Sequence, residues 1–127
     1  MKNFVVYPAV FHPQEVGFWV SFPDLQGCLT EGETLEEAMK MAQDALGLFL
    51  LDEEIFPEPS DHTTVAIQND EFVSLVALDF VEYRKKHNSK SIKKTLTIPE
   101  WLNIAAEKEN VNFSQTLQEA LMEKLGV

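Results

Sequence analysis

Along the first fifty residues the spacing of apolar positions changes period, and the change separates strands from a helix. "NFVVYPAVFHP" (3–13) is dense in β-branched and aromatic residues and predicts a strand, with Pro8 placing it at a sheet edge or a bulge. In "VGFWVSFPD" (16–24), Phe18, Val20 and Phe22 fall on one face and Trp19 and Ser21 on the other, the period of two of a half-buried strand. The two runs predict an antiparallel hairpin. "LQGCLTEGE" then predicts turns around a very short third strand at residues 28–30.

In "TLEEAMKMAQDALGLFLL" the period becomes helical: Leu35, Ala38, Met39, Ala42, Ala45, Leu46, Phe49 and Leu50 form one stripe. Thr34 followed by Glu37 matches a capping box, and Glu36 and Glu37 suit the positive end of the helix dipole. Residues 61–68 fit a short helix or a strand equally. "EFVSLVALDF" (71–80) has the length and composition of a buried strand. The order β-β-β-α-β predicts a small α+β module with the helix on one sheet face.

After residue 83 the pattern differs. "RKKHNSKS" (84–91) has no apolar residue and reads as a basic linker between a domain at 1–83 and one at 92–127. In "SIKKTLTIPEW", Ile92, Lys94, Leu96 and Ile98 share one strand face and Lys93, Thr95 and Thr97 the other. Pro99 suits the first position of a helix over 99–109, and Asn110 can take the left-handed conformation that ends it. Asn112 is placed to cap a second helix, with Phe113, Leu117, Ala120, Leu121 and Leu125 as its stripe.

Charge sharpens this division. The 127 residues carry a net charge of −11, but residues 1–83 hold sixteen acidic residues against Lys2 and Lys40. Residues 84–98 hold six basic residues and no acidic one. Such asymmetry points to partners of opposite sign. Cys28 is the only cysteine, which excludes an internal disulfide and fits a cytoplasmic protein. No apolar run is long enough to span a membrane, and the N-terminus lacks a signal-peptide cleavage pattern.

A strand-helix-helix unit of about 36 residues is too small to bury a core alone. Pairing its strand with that of a second copy gives an antiparallel ribbon over four helices, narrow enough for the DNA major groove. Lys93, Thr95 and Thr97 would face the bases, with Lys90 and Lys94 near the backbone. Asn112, Phe113 and Ser114, at the start of the second helix, would offer backbone N–H groups to a phosphate. "KKTLTIPEWLNIAAEKENVNFSQTLQEAL" resembles a ribbon-helix-helix DNA-binding module. It has Asn110 where glycine is usual, and no arginine in the outward triplet. A purely structural dimerisation tail is the alternative.

The first module carries the more specific motifs: Tyr7-Pro8, then Phe22-Pro23-Asp24-Leu25 with Gly27, Thr30 with Gly32, and Glu36-Glu37-Ala38. Together these resemble the N-terminal domain of HicB antitoxins. The resemblance implies a partial ribonuclease-H-like fold that binds and occludes a small basic mRNA-cleaving toxin, HicA, and a tail that represses the chain's own operon on double-stranded operator DNA. It implies a homodimer through the ribbon, with a tetramer through the N-terminal domains left open. Trp19, Asp24, Glu31 and Glu33 are the candidate toxin contacts. For Asp24, capping of the following turn competes with that role; for Trp19, sheet packing does.

Catalysis is not expected, because the carboxylates do not converge on strand ends as two-metal hydrolysis requires. His12, His62 and His87 are isolated along the chain and give no metal-ligand spacing, so neither a metal nor a cofactor is expected. The alternative function is a ligand-responsive ribbon-helix-helix regulator without a toxin partner. A third class is an oligomerisation scaffold.

Overall fold

A computed structural model describes residues 4–127, and the chain divides between Ser89 and Lys90 into two compact units. Asn3, where the first predicted strand begins, lies outside the described residues. In the first unit β1 (Phe4–Pro13), β2 (Phe18–Ser21), β3 (Leu29–Gly32) and β4 (Phe72–Asp79) form one sheet of order β3-β2-β1-β4, all neighbours antiparallel. The helix α1 (Leu35–Leu51) follows β3 and α2 (Phe80–His87) follows β4.

Strand β1 is interior and its register with β4 runs unbroken through Pro8, which corrects the expectation that Pro8 marks a sheet edge or a bulge. β2 ends at Ser21 opposite Val10, so at Pro8 the strand is paired only on its β4 side, with Leu75. The missing N–H is tolerated because the ladder is one-sided there. Odd-numbered residues Val5, Tyr7, Ala9 and Phe11 point into the core with Val20, Phe22, Leu25 and Val76, closed by Ala38, Ala42, Leu46 and Leu50 of α1. Phe11 stacks on Phe72 at 5.0 Å between centroids.

The predicted third strand starts one residue late. Cys28 N–H closes a turn onto the Leu25 carbonyl, so pairing begins at Leu29 and runs on to Gly32 opposite Phe18. Thr34 caps α1, its Oγ1 accepting from Glu37 N–H at 3.1 Å, while the Glu37 carboxylate reaches back to Glu33 N–H. Residues 61–68 are neither helix nor strand beyond one 3-10 turn, His62–Thr64, whose N–H of Thr63 is taken by the Asp61 carboxylate.

The expected linker at 84–91 is helical in its first half, since residues 84–87 are the last turn of α2. Aromatic packing explains why: the Tyr83 hydroxyl bonds Asp44 at 3.1 Å, His87 stacks on the Tyr83 ring, and Arg84 lies over Phe80. Basic residues in this turn also suit the negative end of the helix dipole.

In the second unit, α3 (Glu100–Lys108) and α4 (Phe113–Leu125) form as the periodicity predicts. Pro99 lies just before α3 rather than inside it, with extended ψ, and its carbonyl accepts from Leu102 and Asn103. Asn110 is left-handed, φ 55°, and Asn112 Oδ1 accepts from Gln115 N–H at 3.0 Å. The predicted strand at 92–98 is absent from the single chain: residues 89–99 have no assigned secondary structure, and all are exposed. A strand needs a hydrogen-bonded neighbour, and the unit contains no other strand.

Two glycines are required by close approach. Gly17 turns the β1–β2 hairpin at φ 78°, and Gly32 lies so near α1 that a Cβ there would sit 2.3 Å from Ala38 N. Gly32 therefore serves helix-on-sheet packing rather than turn geometry. Gly32→Ala should force α1 off β3 and cost about 3 kcal/mol, read as a lowered midpoint in urea unfolding.

Candidate functional site

The face of the sheet away from α1 carries the even-numbered residues of β1 and their partners. His12 is not isolated there. Its ring stacks on Trp19 with centroids 3.6 Å apart and planes 9° from parallel. Its Nε2 lies 2.8 Å from Ser21 Oγ, and its Nδ1 pairs with the Glu71 carboxylate. Register makes this cluster, since His12 lies directly opposite Trp19 on β2. Glu71 Oε1 also accepts from Gln68 N–H at 2.8 Å. That bond, then the bond and charge of His12, hold the Glu71 carboxyl below the usual range.

Of the candidate toxin contacts, Trp19 and Glu31 are direct cross-strand neighbours. Glu31 lines an open groove with Gln14, Glu33, Glu37 and the exposed apolar side chains of Val16 and Met41. Glu33 follows β3 in chain order and also borders that groove.

Asp24 stands elsewhere and does not cap its own turn. Its carboxylate accepts from Ser60 N–H at 2.9 Å and from the Ser60 hydroxyl, thirty-six residues along the chain. The irregular segment it holds, "DEEIFPEPSD" (52–61), is tied down twice more. Tyr7, buried in the core, donates its hydroxyl to the Pro57 carbonyl, and Phe56 packs edge-on to Phe80 at 5.0 Å. Burial, then the charges of Asp24 and Glu58, raise the Tyr7 phenol. Ile55, next to these anchors, is 83% exposed.

The second unit presents a different surface. Lys90, Lys93, Lys94, Thr95 and Thr97 lie in its exposed N-terminal segment, and Asn112, Phe113 and Ser114 at the start of α4. No residue of 90–127 is buried, and Ile92, Leu96, Trp101, Phe113 and Leu125 are all largely open to solvent. Divided at the structural boundary, residues 90–127 hold five lysines and five glutamates, so the net negative charge belongs to residues 1–89.

Signals for the missed residues were partial. The His12–Trp19 stack follows from the hairpin register, which the sequence leaves open by a residue. The tie from Asp24 to Ser60 has no local signal. Among the described residues, no helix is long and apolar enough to cross a membrane.

Fold and surfaces together define a two-unit α+β protein, one unit acidic and the other small, with exposed apolar side chains and a lysine-bearing N-terminal segment. The chain matches a family described as the HicB-like antitoxins of bacterial toxin–antitoxin systems over residues 7–121, and it belongs to that family. It is 45% identical over 64 residues to Antitoxin HicB 2 of Photorhabdus laumondii, which covers 47% of this chain and 46% of that protein. The chain thus spans less than half the length of the curated relatives it matches. Among solved structures, a toxin–antitoxin complex from Streptococcus pneumoniae contains a chain of 31% identity and TM-score 0.60, matched over 95% of this chain and 99% of that one. The crystal structure of antitoxin HicB3 is 26% identical with TM-score 0.51, over 94% of this chain and 97% of that one.

The Glu71 cluster has a pH consequence. A carboxyl whose folded pKa is depressed stabilises the fold above its unfolded value, and that contribution disappears as pH falls through the folded one. Glu71→Gln should therefore lower stability by a constant amount between pH 7 and 8, where the ionised carboxyl contributes fully, and flatten the acid side of the profile below the ordinary glutamate range, where the wild type loses that contribution. Urea midpoints measured across pH 3–8 check this.

Proposed function

We propose that this chain is an antitoxin that binds and neutralises a small, basic, HicA-like mRNA-cleaving toxin through residues 1–89, and that it represses its own operon through residues 90–127. The observation that carries the reading is the likeness, over nearly the whole chain, to a chain of a toxin–antitoxin complex. The acidic first unit complements a surface built to hold RNA, and attraction between opposite patches speeds encounter. Strand order β3-β2-β1-β4 with a helix on one face supports a cut-down ribonuclease-H-like fold used for binding. Co-expression with a small basic HicA-like toxin should relieve that toxin's growth arrest and yield a complex stable to gel filtration. Growth arrest unrelieved by the antitoxin would sink the reading.

Exposed Ile92, Leu96 and Ile98 alternate with Lys93, Thr95 and Thr97, which supports a ribbon-helix-helix dimer whose apolar ribbon face and helices bury each other. Lys90 and Lys94 then flank the groove and the N-terminus of α4 meets a phosphate. Two N-terminal units per dimer leave a tetramer open as a further assembly. Replacing Lys93, Thr95 and Thr97 by alanine should weaken operator binding more than about 100-fold, since good base contacts contribute roughly 1–3 kcal/mol each. The dimer mass in sedimentation should not change. Wild-type affinity should fall steeply with salt as lysines displace counterions from DNA.

A further inference from the structure

We propose that the segment 52–61 is a preorganised docking strap, with Ile55 as the apolar anchor for a pocket rimmed by lysine or arginine on a cationic protein. The proposal rests on the antitoxin reading, in which that protein is the toxin.

The strap is irregular, yet three separate elements hold it: Tyr7 of β1 at Pro57, Asp24 of the loop after β2 at Ser60, and Phe80 of α2 at Phe56. Ordering a free loop of this length on binding would oppose association, and ties already present in the free protein remove much of that cost. Within the strap, the core contact is made by Phe56, which packs against the buried cluster. Ile55, one residue earlier, is 83% exposed, the most exposed large apolar side chain among the described residues of the first unit. An exposed branched apolar residue on a tethered backbone has the form of an interface anchor.

The surrounding charge selects the occupant. Asp52, Glu53 and Glu54 precede Ile55, Glu58 and Asp61 follow it, and no lysine or arginine occurs between Lys40 and Arg84. A second copy of the strap would bring like charges together, whereas a cationic rim around an apolar pocket matches both features. Tyr7 and Asp24 act as positioning residues in this scheme. Two of the motif residues that mark the first module thus end on the same strap.

Isothermal titration of the full chain with a purified HicA-like toxin tests the proposal. Ile55→Asp should weaken the complex by about 30-fold or more, as loss of an interface hot spot does. Glu53→Lys with Glu54→Lys should slow association roughly tenfold at low salt, with the difference shrinking in 1 M salt. Asp24→Ala should weaken binding and raise amide exchange at 56–60. Asp24→Asn, which keeps an oxygen acceptor for Ser60, should restore both. Thermal melting verifies that each variant stays folded. If the wild-type chain does not bind the toxin, the antitoxin reading fails and the strap proposal fails with it. If the wild type binds and Ile55→Asp binds equally well, the strap proposal alone is overturned. A change in the mass of the antitoxin assembly with toxin affinity intact overturns it too.

Discussion

One register governs the first unit: Phe11 of β1 lies opposite Val20 of β2 on one side and Phe72 of β4 on the other. With Phe11 inside, the odd residues of β1 meet α1 and the even ones face away. A slip of one residue would drive His12 into the core and expose Tyr7 and Phe11. It would also carry the Tyr7 hydroxyl away from Pro57, loosening the strap. The His12 stack on Trp19 and the hold on residues 52–61 both descend from that alignment. Gly17 and Gly32 protect it by allowing the tight hairpin and the close seat of α1.

Much of this was legible before any coordinates. Alternation in "GFWVSFPD" named the inner and outer faces of β2 correctly, and the apolar stripe marked α1 and its buried side at Ala38, Ala42, Leu46 and Leu50, while Leu35, at its start, stays exposed. Asn110 and Asn112 announced the stop of α3 and the start of α4 by chemistry alone, because few residues other than glycine take φ > 0 readily and few side chains cap a helix. These features are local: the residues that decide them lie within one turn of each other.

What was not legible is long-range. Asp24 followed by Leu-Gln-Gly reads as a self-capping turn, yet its carboxylate bonds Ser60, and no spacing rule connects residues thirty-six apart. The basic run after Tyr83 looks like a linker because it lacks apolar residues. Its first half is helical because Tyr83 bonds Asp44 of α1 and Phe80 sits in the core, giving Arg84 and His87 aromatic faces to lie on. His12 appeared isolated for the same reason, since Ser21 and Glu71 reach it across strands rather than along the chain. The segment 92–98 shows the opposite limit. Its alternation is that of a strand, but strand character requires a partner that one chain does not contain.

The two units therefore stand in different relations to water. Residues 4–89 close a core around Tyr7, Phe11, Phe80 and Leu46 and keep their charge outside it. Residues 90–127 bury no side chain, and with Ile92, Trp101 and Leu125 open to solvent the hydrophobic gain that would hold α3 on α4 is small. In the proposed ribbon dimer, the stability of the second unit would be tied to association and so to concentration. On the proposed reading, binding through the first unit and assembly through the second would answer to different physical variables: opposite charge for one, and the amount of the chain itself for the other.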